Sequence, residues 1–293
     1  MRFKCKYNEL AKKLDSPKIK SLVIYIYNYT FCLIKYYYYY ILTNTEFNVS
    51  VLKMCKKICI YNFCKFYIKD IQYKMTFYSQ CGEDKFLYEK FFSNKKNGVY
   101  IELGAVDGVF QSNTKFFEDE LGWKGILIEP HEKTFEQLKL NRPNNYLFND
   151  LVSCETEELE YKYMDDVVAV AGVSNTLTQY HSDEWYDKPG CLAEKNNWGI
   201  NTKLIKPKTL TEIIKSTDIQ SIDLFSLDVE GHEYEILKSW DFSVPISVII
   251  IEMLGMDDVA IERENLCKEI LTKNGYVFDC KVGCSNEVYV LQH

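Results

Sequence analysis

Short apolar runs alternate with amphipathic stretches from Met75 onward, and this alternation constrains the fold more than any other feature of the chain. The runs are rich in β-branched residues, and they cover 99–103, 125–129, 145–152, 222–229, 247–252, 276–282 and 287–292. Helical spacing of apolar residues marks 132–141, 207–217 and 258–273. The alternation predicts an α/β fold, doubly wound, with a mostly parallel sheet and helices on both faces.

The segment 154–206 breaks this alternation, and we expect an insertion over the carboxyl edge of the sheet, where such folds build their sites. Its aromatic residues Tyr180, Trp185 and Trp198, with His181, either stack on a sugar or cap a small core, and the core is favoured. We also expect His181 at the surface and His131 at a helix start.

Residues 1–74 differ from the rest, because they hold 12 of the 23 tyrosines and no glycine. Within this low-complexity Tyr/Lys-rich extension, 22–42 is a candidate membrane segment, since its 21 residues approach the roughly 20 that span a bilayer. Seven basic residues precede it and would stay on the cytoplasmic side. A poorly ordered leader, joined to a domain that starts at Met75, is the alternative, because Lys35 near the centre of the segment opposes insertion.

The two parts of the chain also differ in charge. Residues 1–74 carry 14 Lys and Arg against 4 Asp and Glu, whereas 75–293 carry 21 against 38. An acidic body argues against a nucleic-acid partner and is compatible with a small or cationic ligand. The cysteines miss the usual zinc spacings, and their scatter favours a reducing compartment such as the cytoplasm.

The stretch VYIELGAVDG at 99–108 places an acid and two glycines at the end of a predicted strand. It lacks the G-x-G-x-x-G pattern of dinucleotide sites and the Gly-Lys-Ser/Thr of a phosphate-binding loop. Glu102, Gly104 and Gly108 instead suit a ligand with a nucleoside and an amino-acid arm but no phosphate. The glycines allow close backbone approach, and Glu102 can meet an ammonium group.

Further acids follow the next two predicted strands. Glu129 ends the second strand, where a carboxylate can accept hydrogen bonds from ribose hydroxyls. Asp150 follows the third strand and can meet an adenine edge.

The densest acidic cluster is the stretch SIDLFSLDVEGHEY at 221–234. Asp228, Glu230 and Glu233 repel one another unless a metal ion, a sulfonium or a shared proton lies among them. A helix start explains Glu233 and Glu230 but not Asp228, which ends a strand. Glu252 ends the next predicted strand, so that Asp228 and Glu252 can share a divalent cation.

These motifs together resemble the FkbM-type family of S-adenosylmethionine-dependent methyltransferases over about 75–254. The string from Leu227 to Glu233 is the most specific part. The other matching stretches are Tyr78–Asp84, Glu102–Gly108, Ser112–Thr114, Gly122–Gly125 and Ile128–Pro130. The Ser112–Thr114 and Gly-Trp features are also similar to those of Star-like membrane proteins that carry this domain.

The resemblance implies a Rossmann-like class I methyltransferase domain over 75–293, with a seven-strand sheet. S-adenosylmethionine would lie on Glu102, Gly104, Asp107, Gly108, Glu129 and Asp150. Asp228 and Glu230 would serve catalysis, with Asp228 and Glu252 as ligands of a cation such as Mg²⁺. The expected reaction is O-methylation of a sugar, a glycan or another small hydroxyl acceptor. A membrane-associated interaction or trafficking protein that keeps the fold without activity is the alternative.

Overall fold

The computed structural model describes residues 75–283 and 285–292. The predicted extension 1–74, with its candidate membrane segment 22–42, lies outside the described residues. Within the described ranges, no helix combines the length and the apolar character that crossing a bilayer requires.

Strands and helices alternate as the sequence predicts. The strands are β1 Val99–Leu103, β2 Lys124–Ile128, β3 Tyr146–Phe148, β4 Leu159–Met164, β5 Gly172–Val173, β6 Ile200–Ile205, β7 Ile222–Leu227, β8 Ile246–Glu252, β9 Tyr276–Val282 and β10 Asn286–Leu291. The helices are α1 Glu83–Leu87, α2 Lys115–Leu121, α3 Glu132–Asn141, α4 Gln179–Ser182, α5 Leu192–Asn196, α6 Leu210–Lys215, α7 Glu233–Lys238 and α8 Asp258–Lys273.

Seven of the described strands form one sheet in the order β3-β2-β1-β7-β8-β10-β9. Five of these strands, β3, β2, β1, β7 and β8, run parallel to one another. Strand β10 is antiparallel to both of its neighbours, β8 and β9. The strand order reverses between β1 and β7, and ligands of open α/β sheets bind at such a reversal. The segment predicted as an insertion contains β4, β5 and β6, which form a separate antiparallel sheet.

Side chains of the large sheet pack into two apolar clusters, one on each face. Ile101 belongs to the cluster that includes residues of α6, α7 and α8, whereas its neighbour Tyr100 belongs to the cluster with α2 and α3. This alternation follows from the two-residue period of a strand. The predicted fold, a Rossmann-like sheet with helices on both faces, is confirmed.

Two predicted elements are shorter in the structure. The helix predicted from Pro207 begins at Leu210, because Thr209 forms a capping box with Glu212. The predicted third strand ends at Phe148, and the side chain of the next residue, Asn149, donates to the carbonyl of Glu129 (2.8 Å).

The ends of β1 and β7 approach each other closely at Gly104. This residue has a φ of 77°, and a Cβ there would lie 2.1 Å from the carbonyl oxygen of Asp228. A glycine is therefore required here by the contact between two strand ends, as well as by its left-handed backbone.

Replacing Gly104 tests this contact. The matched control is Gly82, which has a φ of 86° and open space where an added Cβ would lie, with no atom within 4 Å. Gly82→Ala should cost about 1–2 kcal/mol of unfolding free energy from backbone strain alone. Gly104→Ala should cost about 1–3 kcal/mol more from overpacking, as measured by urea unfolding of the full chain. Equal losses in the two variants would contradict the close approach.

Candidate active site

The carboxyl ends of β1, β2, β7 and β8 surround a cleft of about 450 Å³, which residues of the segment 154–206 line on one side. The predicted site residues that line this cleft are Gly104, Glu129, Asp150, Asp228, Glu230 and Glu252. Glu102, Asp107 and Gly108 are not among its lining residues. The structure thus brings six of the predicted residues together at the cleft, whereas the other three lie outside its lining.

Glu102 lies inside the protein, with 4% of its surface exposed. Its carboxylate accepts hydrogen bonds from Ser112 Oγ (2.9 Å), the Asn113 N–H (2.8 Å) and Thr114 Oγ1 (2.7 Å). Burial raises the pKa of Glu102, while these donors and Arg142 oppose the rise. Glu102 therefore fixes the turn at 112–114, and its contact with a cofactor ammonium stays a prediction.

Arg142 is fully buried and joins the loop after β1 to α2 and α3. Its guanidinium donates to the Gly108 carbonyl (2.8 Å) and the Tyr100 hydroxyl (2.7 Å), and it pairs with Glu118 on α2. The glutamate Glu102 lies 3.8 Å away. No sequence motif marks this residue, because its partners lie on β1, in the loop after β1 and on α2.

Asp107 and Gly108 shape the loop after β1 and do not line the cleft. Asp107 Oδ1 accepts from the N–H groups of Val109 (2.9 Å) and Phe110 (2.7 Å). At Gly108 the φ is 79°, and a Cβ would lie 2.5 Å from Leu138 on α3. Both residues support the loop from within, and their direct role in cofactor binding stays a prediction.

Glu129 follows β2 and faces the cleft, although only 4% of its surface is exposed. One carboxylate oxygen accepts from the Val106 N–H (2.9 Å), and the other accepts from the His131 N–H (2.7 Å). Burial raises the pKa of Glu129 to about 7, since these two hydrogen bonds only partly offset the loss of solvent. Val106 adopts a φ of 48°, which is rare for a β-branched residue and marks local strain beside the cleft.

Asp150 lines the same side of the cleft as Glu129. Its carboxylate forms an ion pair with Lys208 Nζ at 2.9 Å. Asp150 is therefore held in place at the end of the third strand, where the sequence predicts an adenine contact.

Asp228, Glu230 and Glu252 meet at the ends of β7 and β8. One carboxylate oxygen from each residue lies within 4.8 Å of the others. Burial raises the pKa of Asp228 and of Glu252, and repulsion between the carboxylates raises both further. Each of these carboxylates therefore makes its neighbour harder to ionise.

The two carboxylate oxygens of Glu252 differ in their surroundings. Oε1 accepts from Ser285 Oγ (3.1 Å), whereas Oε2 is buried and has no hydrogen-bond partner among the described residues. An unpartnered buried carboxylate oxygen is costly unless a proton, a cation or a ligand meets it.

His181 is buried, with 6% of its surface exposed, so the expectation that it lies at the surface is wrong. Its Nε2 lies 2.9 Å from the Val170 carbonyl, and its Nδ1 lies 3.1 Å from Glu230 Oε2. Burial disfavours the charged imidazole, but the hydrogen bond and charge of Glu230 outweigh this and raise the pKa of His181. Helical spacing could not reveal this, because the partner of His181 lies on a distant loop.

His131, in contrast, is the N-cap residue of α3, as the sequence predicts.

The loop after β7 is clamped by the segment 154–206. A Cβ at Gly231, which has a φ of 100°, would lie 2.5 Å from the Thr176 carbonyl oxygen. The Thr176 hydroxyl also contacts His232 Nδ1 at 3.0 Å. With His181 on Glu230, the segment contacts three consecutive residues of this loop.

The aromatic residues of the segment divide between core and cleft. Trp185 and Trp198 pack against a small apolar cluster formed by Met164, Val170, Tyr186, Cys191 and Ala193. Trp185 also lines the cleft, and Tyr180 lines it with 50% of its surface exposed. The core interpretation therefore describes Trp198, whereas Tyr180 is placed to touch a ligand.

Residues 102–278 match the family model of the methyltransferase FkbM domain. Since the match covers more than half of the chain, the chain belongs to this methyltransferase family, and the resemblance seen in the sequence is confirmed. No curated protein matches the chain in sequence.

Solved structures similar to this chain include the FkbM methyltransferase from Methylobacillus flagellatus KT. It is 11% identical with a TM-score of 0.43, and the match covers 73% of this chain and 48% of that protein, so that this chain spans about half of its length. Aeropyrum pernix fibrillarin, solved with natively bound S-adenosyl-L-methionine, is 9% identical over 67% of each chain, with a TM-score of 0.36. A putative caffeoyl-CoA O-methyltransferase from Staphylococcus aureus is 10% identical over 89% of this chain and 100% of that chain, with a TM-score of 0.39.

Proposed function

We propose that this protein transfers a methyl group from S-adenosylmethionine to a hydroxyl oxygen of a small acceptor, such as a sugar or a glycan. One observation carries the proposal: a single cleft has Glu129 at the end of β2 and the group Asp228, Glu230 and Glu252 at the ends of β7 and β8. The first position suits a ribose, and the second suits a reacting hydroxyl. Membership of the methyltransferase family supports this division.

The cofactor side of the cleft would hold the nucleoside. The Glu129 carboxylate can accept hydrogen bonds from the two ribose hydroxyls, while Asp150 lies where an adenine edge would come. Gly104 brings the end of β1 against the end of β7 at the cleft, and Glu102, Asp107 and Gly108 stabilise the loop after β1 from inside the protein.

Methyl transfer is an in-line displacement at the carbon of the sulfonium methyl group. The acceptor oxygen forms a bond to this carbon, the carbon–sulfur bond breaks, and its electron pair stays on the sulfur of S-adenosylhomocysteine. The acceptor hydroxyl loses its proton to a base in the same process. Alignment of the oxygen with the carbon supplies much of the rate enhancement.

The Asp228–Glu252 pair is the proposed base. Because burial and mutual repulsion raise both pKa values, the pair would share one proton and keep one negative charge near neutral pH. The remaining ionised carboxylate would accept the hydroxyl proton more readily than a solvated carboxylate does. Glu230 lies beside the pair, and with His181 at 3.1 Å from its Oε2 it can orient the acceptor hydroxyl through its other oxygen.

The same three carboxylates also fit a divalent cation such as Mg²⁺, which prefers oxygen ligands. Asp228, Glu230 and Glu252 would hold it, and the cation would make the acceptor hydroxyl more acidic.

If the cation is held, MgCl₂ should raise the melting temperature of the wild-type protein but not that of Glu252→Gln. No rise in the wild-type protein would leave the shared proton as the arrangement in the cleft.

The acceptor is expected to carry no negative charge. Among the lining residues, all within the described part of the chain, there is no lysine or arginine, whereas several carboxylates are present. A carboxylate or phosphate on the acceptor would be repelled there, while the exposed ring of Tyr180 offers a surface on which a sugar can stack.

The alternative, a membrane-associated interaction protein without activity, depends on 22–42, which lies outside the described residues. The assembled set Glu129, Asp228, Glu230 and Glu252 favours the enzyme, since a scaffold has no need to hold costly buried acids together.

Binding of S-adenosylhomocysteine should depend on pH through Glu129. In the free protein the pKa of Glu129 is about 7, and hydrogen bonds from ribose hydroxyls favour its ionised form. Binding should therefore release a proton, and the affinity should fall by up to about tenfold per pH unit below pH 7. Calorimetry between pH 6 and 8 measures this, and the dependence should flatten in Glu129→Gln. An equal dependence in both proteins would exclude Glu129 from the nucleoside site.

Asp228→Asn should remove the base and leave the cofactor side intact. We expect kcat for methyl transfer to fall by about 10²–10⁴-fold, with little change in the affinity for S-adenosylhomocysteine. The assay follows labelled methyl transfer from S-adenosylmethionine to a panel of free sugars and methyl glycosides. Full activity in Asp228→Asn would contradict the assignment, and Asp241→Asn, at an exposed pair with Lys215, serves as the control.

A further inference from the structure

The cleft raises a question about the amino-acid arm of the proposed cofactor, and the inference below rests on the proposed function. S-adenosylmethionine carries a carboxylate and an ammonium at the end of this arm. The lining residues, all in described parts of the chain, include no lysine or arginine to meet the carboxylate. His181 also lines the cleft, but it is paired with Glu230, so that neutral donors are left for the carboxylate.

Backbone donors near Gly104 are already used. The N–H of Ala105 donates to the Ile128 carbonyl, and the N–H of Gly108 donates to the Ala105 carbonyl. The N–H of Val106 donates to Glu129. These three N–H groups are therefore not free to meet a ligand.

Two side-chain amides, Gln80 and Gln111, are among the lining residues. Ser79 and Gln111 form a parallel bridge, which places Gln80 beside Gln111 next to the loop after β1. Both glutamines are exposed, and their amides form no hydrogen bond within the residues that the structure describes. They are available to a ligand.

The backbone on both sides of these amides is held firmly. Asp84 is fully buried, and its carboxylate accepts from Ser79 Oγ (2.6 Å) and from the Tyr78 N–H (2.6 Å). Beyond Gln111, the side chain of Ser112 donates to Glu102 at 2.9 Å. Gln111 itself has a φ of 54°, a strained conformation of the kind that clusters at ligand sites.

We propose that Gln80 and Gln111 bind the amino-acid arm of the cofactor. Each amide nitrogen would donate to the carboxylate of the arm, and each amide oxygen can accept from the ammonium. The pair thus recognises a zwitterion with neutral groups, in a cleft whose own charge is negative. Glu102, the residue that the sequence predicts for the ammonium, is engaged by Ser112, Asn113 and Thr114 instead.

Two ligands separate the arm from the nucleoside. S-adenosylhomocysteine carries the arm, whereas 5′-methylthioadenosine has the same adenosyl thioether without it. Calorimetry of the full chain should show that Gln80→Glu and Gln111→Glu each weaken S-adenosylhomocysteine by about tenfold or more, because a donor becomes a repelling charge. Their affinity for 5′-methylthioadenosine should stay within about twofold of the wild-type value. Gln137→Glu, at an exposed position on α3, is the matched control for the added charge.

The possible failures are distinct. A wild-type protein that binds neither compound would overturn the proposed function and this inference with it. Normal binding by the wild-type protein, with both ligands weakened equally or neither weakened in the glutamine variants, would overturn the inference alone. Retained binding of 5′-methylthioadenosine also shows that each variant is folded.

Discussion

The contact between Gly104 and the carbonyl of Asp228 is the constraint on which the rest of the site depends. It joins the ends of β1 and β7, where the strand order of the sheet reverses. The loop after β1 and the acidic loop after β7 therefore start from one fixed point and diverge over the cleft. Because both strands belong to the central sheet, the distance between the proposed nucleoside side and the acidic side is set by the sheet.

The acidic residues of the cleft are hard to ionise. Glu129 is buried, Asp228 and Glu252 are partly buried, and burial raises the pKa of each. Such groups lower stability unless a ligand or a proton compensates them. The protein keeps them beside strained residues, Val106 and Glu230, both with positive φ. These acids therefore lower the stability of the free protein, and in the proposed function they would attract the positively charged sulfonium of the cofactor.

Much of the sheet could be predicted from the sequence, because buried parallel strands are unbroken apolar runs. The bounds of β1 follow from such a run, whereas those of α3 and α8 follow from the helical spacing of apolar residues. The antiparallel strand β9 also has its predicted bounds. The grouping of Asp228 with Glu252 was predictable for the same reason, since acids that end adjacent strands must meet.

What the sequence could not reveal are contacts between distant segments. The acid of the glycine motif, Glu102, turns inward because Ser112, Asn113 and Thr114 fold back to meet it. Arg142 is buried for a related reason, since its partners come together only in the folded chain. The sequence around His181 predicts a surface residue, but the fold of the segment 154–206 places its side chain against Glu230.

Thr176 and His181 hold the loop after β7, and sequence changes in the segment 154–206 therefore have two different consequences. Alterations elsewhere in 154–206 can reshape the space around an acceptor while the strand ends and the nucleoside side stay as they are. An exchange of the whole segment, however, must also bring equivalents of these two contacts, since Glu230 and His232 take their positions from it. If the proposed function holds, related proteins with different acceptors should differ within this segment but keep the contacts of Thr176 and His181.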